Sequence, residues 1–173
     1  MDYEALLRQH RKKILTAPGG FQLLAWGRKD IELIIPHRDP FLLLDRLTGV
    51  SFEDQAITGV RTLSPADSVF AGHFPGYPVY PGCLEVEMIG QLGLCLSYFM
   101  DSKSVDVPAA PRELNVRATR IVGAHYLEPI RPGAEVSLFA KLLDHDEYFG
   151  KVIGQAVTDG KVACVTIAEV CFI

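Results

Sequence analysis

The chain of 173 residues lacks several things, and each lack narrows what it can be. Positive charge is not in excess: 17 Lys and Arg stand against 21 Asp and Glu, a net charge of −4. No nucleic-acid partner is expected, because phosphate binding needs a basic footprint. The one basic cluster, Arg8, Arg11, Lys12 and Lys13, reads as a solvated helix face. Cysteine is sparse, and Cys83, Cys95, Cys164 and Cys171 form no CxxC pair and no zinc-ligand spacing. Each sits in an apolar run, so all four are expected as small core residues in a reducing compartment. No run of about 20 apolar residues is free of charge, and no N-terminal segment resembles a signal peptide. Membrane insertion is therefore not expected, and the cytoplasm is the default location. Internal repeats and low-complexity segments are missing too.

What is present suits a single folded domain with one sizeable core: 49% of residues are hydrophobic and 22% charged, far from the composition of a disordered chain. Residues 2–15 carry apolar positions at Leu6, Leu7, Ile14 and Leu15 among charges, which predicts a short amphipathic helix ended by Ala17-Pro18-Gly19-Gly20. Residues 1–30 read as an appendage, and 31–173 as the domain proper. Pro36 and Pro40 make the PHRDPF segment a turn. A first strand is expected to begin at Leu42–Leu47, paired with 56–63 across a turn near Glu53-Asp54.

Residues 69–100, VFAGHFPGYPVYPGCLEVEMIGQLGLCLSYFM, organise the rest. A loop rich in Gly and Pro with one histidine, His73, runs into an apolar helix predicted from Pro81-Gly82 towards Met100. A helix this apolar must be buried, and it carries a lone carboxylate, Glu87, on an interior-looking face. Leu84, Gln91 and Leu94 share that face at i−3, i+4 and i+7. Glu85 falls near the opposite side and is expected as a surface or interface charge. Burial is expected to raise the pKa of Glu87, with Gln91 as its hydrogen-bond partner. After a polar loop at 101–113, strands are predicted over 114–128, 134–144, 147–158 and 161–172. Asp159-Gly160 is the strongest hairpin signal among their turns. One buried helix between two strands and four more predicts an antiparallel sheet wrapped around it, in the α+β class, with its free edge wanting a second subunit.

IIPHRDPFLLLDR, GHFPGYPVYPGCLEVEMIGQ, AHYLEPIRPGAEV and FGKVIGQAVTDGKVACVTIAEVCF, in that order, resemble the β-hydroxyacyl-[acyl-carrier-protein] dehydratases of the hot-dog fold. The likeness covers about residues 33–173. It implies a hydro-lyase acting on a hydroxyacyl thioester, with His73 as base and Glu87 as acid. It also implies the Gly82 N–H as donor to the thioester carbonyl, and Phe74, Pro81 and Gln91 beside the substrate. The elimination needs no metal or redox cofactor; phosphopantetheine carries the acyl group on carrier protein or coenzyme A. The resemblance further implies a site shared across a homodimer, or a trimer of dimers. His37 and Arg38 read as structural residues of the turn.

Glu87 points to the broad dehydratase branch, whereas Cys83 and Gln91-Leu92-Gly93 are similar to the branch that also isomerises the double bond. Leu127-Glu128 stand where the family carries a basic pair for docking an acidic carrier. Two other functions share the fold: acyl thioester hydrolysis, against which the loop histidine speaks, and a non-catalytic acyl-binding or assembly subunit, against which the presence of both His73 and Glu87 speaks.

Overall fold

Four long runs of alternating residues after position 115 carry most of the sheet. In the computed structural model, which describes residues 1–173, they form β4 (Val116–Tyr126), β5 (Glu135–His145), β6 (Phe149–Thr158) and β7 (Lys161–Phe172). Upstream lie β1 (Gln22–Gly27), β2 (Arg46–Ser51) and β3 (Ala56–Thr62). All seven pair antiparallel, in the order β1-β2-β3-β5-β6-β7-β4. The Asp159-Gly160 hairpin is as expected: both residues have positive φ, 50° and 72°, and Thr158 pairs with Lys161 across them.

The helices are α1 (Tyr3–Gln9), α2 (Arg28–Ile31), α3 (Val69–Gly72) and α4 (Gly82–Ser102). The sheet curls around α4, which buries Met88, Ile89, Leu92, Leu96 and Phe99 completely. Each such side chain contributes roughly 1.5–3 kcal/mol by leaving water. Glycines let helix and sheet approach: a Cβ on Gly154 would lie 2.4 Å from Ile89 Cγ2, and one on Gly93 3.1 Å from Val152. Pro81, with φ −63° and ψ 128°, stops the preceding loop, and Lys103 in the left-handed region closes the helix by donating its N–H to Phe99 O at 3.0 Å. Length and apolarity alone would let α4 cross a membrane, but it is the core helix of this fold.

Three expectations change. The N-terminal stretch contains a sheet strand, β1, antiparallel to β2, so only residues before about 21 lie outside the sheet. Helix α1 stops at Gln9 instead of continuing to 15, because the chain beyond is captured by the buried Gln155 amide. Leu42–Leu44 are buried but not strand; this apolar run has no alternation, and it is fixed from α4, where Gln91 Oε1 accepts from Leu43 N at 2.8 Å.

Candidate active site

His73 ends α3 and enters the loop that leads to α4. Its Nδ1 lies 2.9 Å from Val79 O, and the ring stacks on Phe74 with centroids 4.0 Å apart. A ring nitrogen facing a carbonyl must carry the proton, which leaves Nε2 as the basic nitrogen. Val79 N in turn donates to His73 O at 2.9 Å, so loop and ring are fixed together. The histidine lines a cavity of about 590 Å³ with Tyr77, Tyr80, Pro81, Gly82, Cys83, Glu85, Tyr126 and Leu127. No side chain caps the start of α4, so the first-turn N–H groups at Gly82 stay open to an oxygen placed there. A Cβ at Gly82 would meet the Tyr126 ring at 2.5 Å, so a larger residue there would displace that side chain.

Glu87 lies elsewhere. Its Oε1 accepts from Gln91 Nε2 at 2.9 Å and sits 3.4 Å from His37 Nε2. The hydrogen bond from His37 is the main cause that holds the Glu87 carboxyl below its ordinary range, against burial and with help from Gln91. The expected direction was the opposite one; hydrogen bonding to the charged form here outweighs desolvation. His37, read from the sequence as a turn residue only, thus belongs to the environment of the acid. The sole sequence signal was the PHRDPF turn, whose prolines fold it over α4. Arg38 is structural as expected, donating to Ile35 O and His37 O.

Gln91, expected at the substrate, is 1% exposed and fully engaged: Oε1 accepts from Leu43 N, and Nε2 donates to Phe41 O and Glu87. It is a clamp for Glu87, not a cavity wall. Phe74 is half exposed, packed on the histidine outside the cavity lining. Within one chain, then, His73, Pro81 and Gly82 come together at the cavity, and Glu87, Gln91 and His37 form a second group that does not line it.

The carboxylate that does share the cavity with His73 is Glu85. Expected as a surface or interface charge, it is 4% exposed within the single chain, with Oε2 buried and unpartnered. Burial pushes its pKa up to about 8, so it is a neutral acid at pH 7. The helix is wrapped on both sides, so the face opposite Glu87 points into the sheet. Cys83, expected in the core, is exposed at the cavity, whereas Cys95 and Cys164 are buried.

The FabA-like domain family matches residues 35–167. The 3-hydroxyacyl-[acyl-carrier-protein] dehydratase FabZ of Campylobacter jejuni is 36% identical over 132 residues, 76% of this chain and 87% of that protein. The protein of that name from Anoxybacillus flavithermus is 33% identical over 138 residues, 80% and 91% of the two chains. Among solved structures, the dehydratase heterocomplex ApeI:P from Xenorhabdus doucetiae superposes with a TM-score of 0.65 at 18% identity, covering 83% of this chain and 90% of that one. This last likeness supports the hot-dog fold alone. The chain belongs to the FabA-like family, and within it is similar to the FabZ dehydratases.

Proposed function

We propose that the protein removes water from a (3R)-hydroxyacyl thioester to give the trans-2-enoyl thioester, in fatty-acid or related acyl-chain biosynthesis. The acyl group arrives on phosphopantetheine, borne by an acyl carrier protein or coenzyme A. One observation carries the reading: His73, its Nδ1 engaged by Val79 O, lines a cavity that also receives the open N-terminus of α4 at Gly82. The thioester carbonyl accepts from the Gly82 N–H, and the charge that develops on it is stabilised there. His73 Nε2 takes the α-proton, the Cα–Cβ double bond forms, and the β C–O bond breaks. Glu87 hydrogen-bonds the β-hydroxyl. Once the acyl chain displaces water from this carboxylate, its proton affinity rises; it takes up a proton from solvent and gives that proton to the departing oxygen, which leaves as water. The proton held by His73 then returns to solvent, so none is gained or lost.

His73 and Glu87 are apart in one chain, so the reading assigns them to different protomers of a homodimer, with a trimer of dimers as the larger assembly. Support for a second copy comes from β4, an unpaired edge of eleven residues, and from the half-exposed Phe74, Tyr77 and Tyr126 near the cavity. The test is to incubate the protein with β-hydroxyacyl and crotonyl thioesters, on carrier protein and on coenzyme A, and to follow enoyl absorbance. Interconversion that disappears in His73→Ala and in Glu87→Gln is expected. Free thiol without enoyl interconversion would mean hydrolysis, and full activity in both variants would overturn the site.

A further inference from the structure

The basic residues of the N-terminal segment take no part in the chemistry above, yet they are held in place. Arg8 pairs with Glu4 at 2.8 Å, whereas Arg11 and Lys12 have no carboxylate within ion-pair distance. Gln155 of β6 is fully buried, and its amide closes on the segment. Oε1 accepts from Leu15 N at 2.7 Å, and Nε2 donates to His10 O at 2.7 Å and Lys13 O at 3.0 Å. Leu7 and Leu15 bury their side chains on either side of this clamp. Arg11 and Lys12 are the two residues between the clamped carbonyls. Their backbone is therefore fixed while both side chains are exposed.

What they are fixed over is a groove of about 370 Å³, formed with Lys161, Leu127, Glu128 and Gly160. Leu127 and Glu128 also line the cavity of His73, so groove and cavity meet at this pair. Three cations face one carboxylate there, Glu128, which lies 3.9 Å from Lys161. The groove is thus net positive on a protein whose whole charge is −4. The family's basic pair, absent at 127 and 128, is replaced in space by charges from other elements. The groove sets these three cations beside the apolar Leu127 and Val162. Such a pattern steers and registers a charged macromolecule.

We infer that Arg11, Lys12 and Lys161 dock the acidic surface of the carrier protein, at the mouth through which its phosphopantetheine arm reaches His73. This rests on the dehydratase reading and gives the N-terminal segment a role in carrier recognition. The test uses the full chain, the double variant Arg11→Glu/Lys12→Glu, Lys161→Glu, and Lys29→Glu at the far end of the sheet as control, with folding checked by circular dichroism.

Two readouts are compared. Fluorescence anisotropy measures binding of holo-acyl carrier protein at low and high salt. Steady-state kinetics compares one hydroxyacyl group on the carrier and on free pantetheine. In the double variant, KM for the carrier-borne substrate is expected to rise at least about tenfold more than KM for the pantetheine thioester, with kcat nearly constant. Carrier binding is expected to weaken and lose its salt dependence, and Lys29→Glu to behave as wild type. Unchanged carrier binding, an equal rise for both substrates, or a rise confined to the pantetheine thioester would each overturn the docking assignment. If wild type dehydrates neither substrate, the dehydratase reading fails, and anisotropy alone decides the groove: weakened binding supports it and unchanged binding overturns it.

Discussion

Glu85 and Glu87 are two residues apart and titrate in opposite directions, one raised by burial and the other lowered by His37 and Gln91. The Glu85 shift is a statement about stability. Between its ordinary value of 4.5 and about 8, the unfolded chain is ionised at this residue and the folded chain is not. Folding then binds a proton, so the contribution of Glu85 to stability is greatest below 4.5, falls through this window, and levels off above about 8. The slope is about 1.4 kcal/mol per pH unit at most. Urea midpoints at pH 5, 6.5 and 8 should fall in that order for wild type. In Glu85→Gln the decline should be flatter, and a wild-type slope retained in that variant would refute the assignment. His37→Ala should raise the Glu87 pKa and, by misplacing the carboxylate, lower kcat/KM about tenfold or more. A pH–rate profile with its acid limb unmoved would show that His37 does not tune the acid. His73 and Glu87 stand out in the sequence as a loop histidine and a lone helical carboxylate among apolar neighbours, whereas Gly82 enters only through the family resemblance. The burial of Glu85 was not legible, because periodicity separates two faces of a helix without saying that both are covered.

At the scale of elements, alternation and turn chemistry placed β4 to β7 within two residues at each end, and Asp159-Gly160 fixed their last hairpin. β1 escaped because Leu23-Leu24-Ala25-Trp26 has no clean alternation; it is made a strand by its pairing with β2, a tertiary cause. The close approach of α4 to the sheet was likewise invisible, since a glycine such as Gly154 reads as a weak point in a strand until its neighbour is known. In Gly154→Ala the new methyl would meet Ile89 Cγ2 at 2.4 Å and the Phe139 carbonyl oxygen at 2.6 Å. A carbonyl paired into the sheet cannot move aside, so overpacking should cost about 1–3 kcal/mol. Equilibrium urea unfolding is expected to show a lower midpoint with an unchanged slope. A midpoint equal to wild type would mean that helix and sheet have more freedom than this packing allows.

For the whole molecule, the separation of His73 from Glu87 makes a prediction that no single-chain site shares. If the histidine of one protomer works with the glutamate of its partner, His73→Ala and Glu87→Gln homodimers are both inactive, each for want of one group at every site. Mixed and allowed to exchange, half of the dimers become heterodimers. Each heterodimer has one site with both groups intact and one with neither, so about a quarter of wild-type activity should return. The recovery should appear at the rate of subunit exchange and vanish when the homodimers are cross-linked before mixing. A site completed within one chain, with Glu85 as its acid, would recover nothing on mixing and would lose its activity in Glu85→Gln. The two arrangements therefore differ in kind of outcome, and under the proposed dimer the open β4 edge is the place at which exchange would break and remake it. A charge placed at the half-exposed Ile121 on that edge should leave a folded monomer by light scattering, and with it an inactive one.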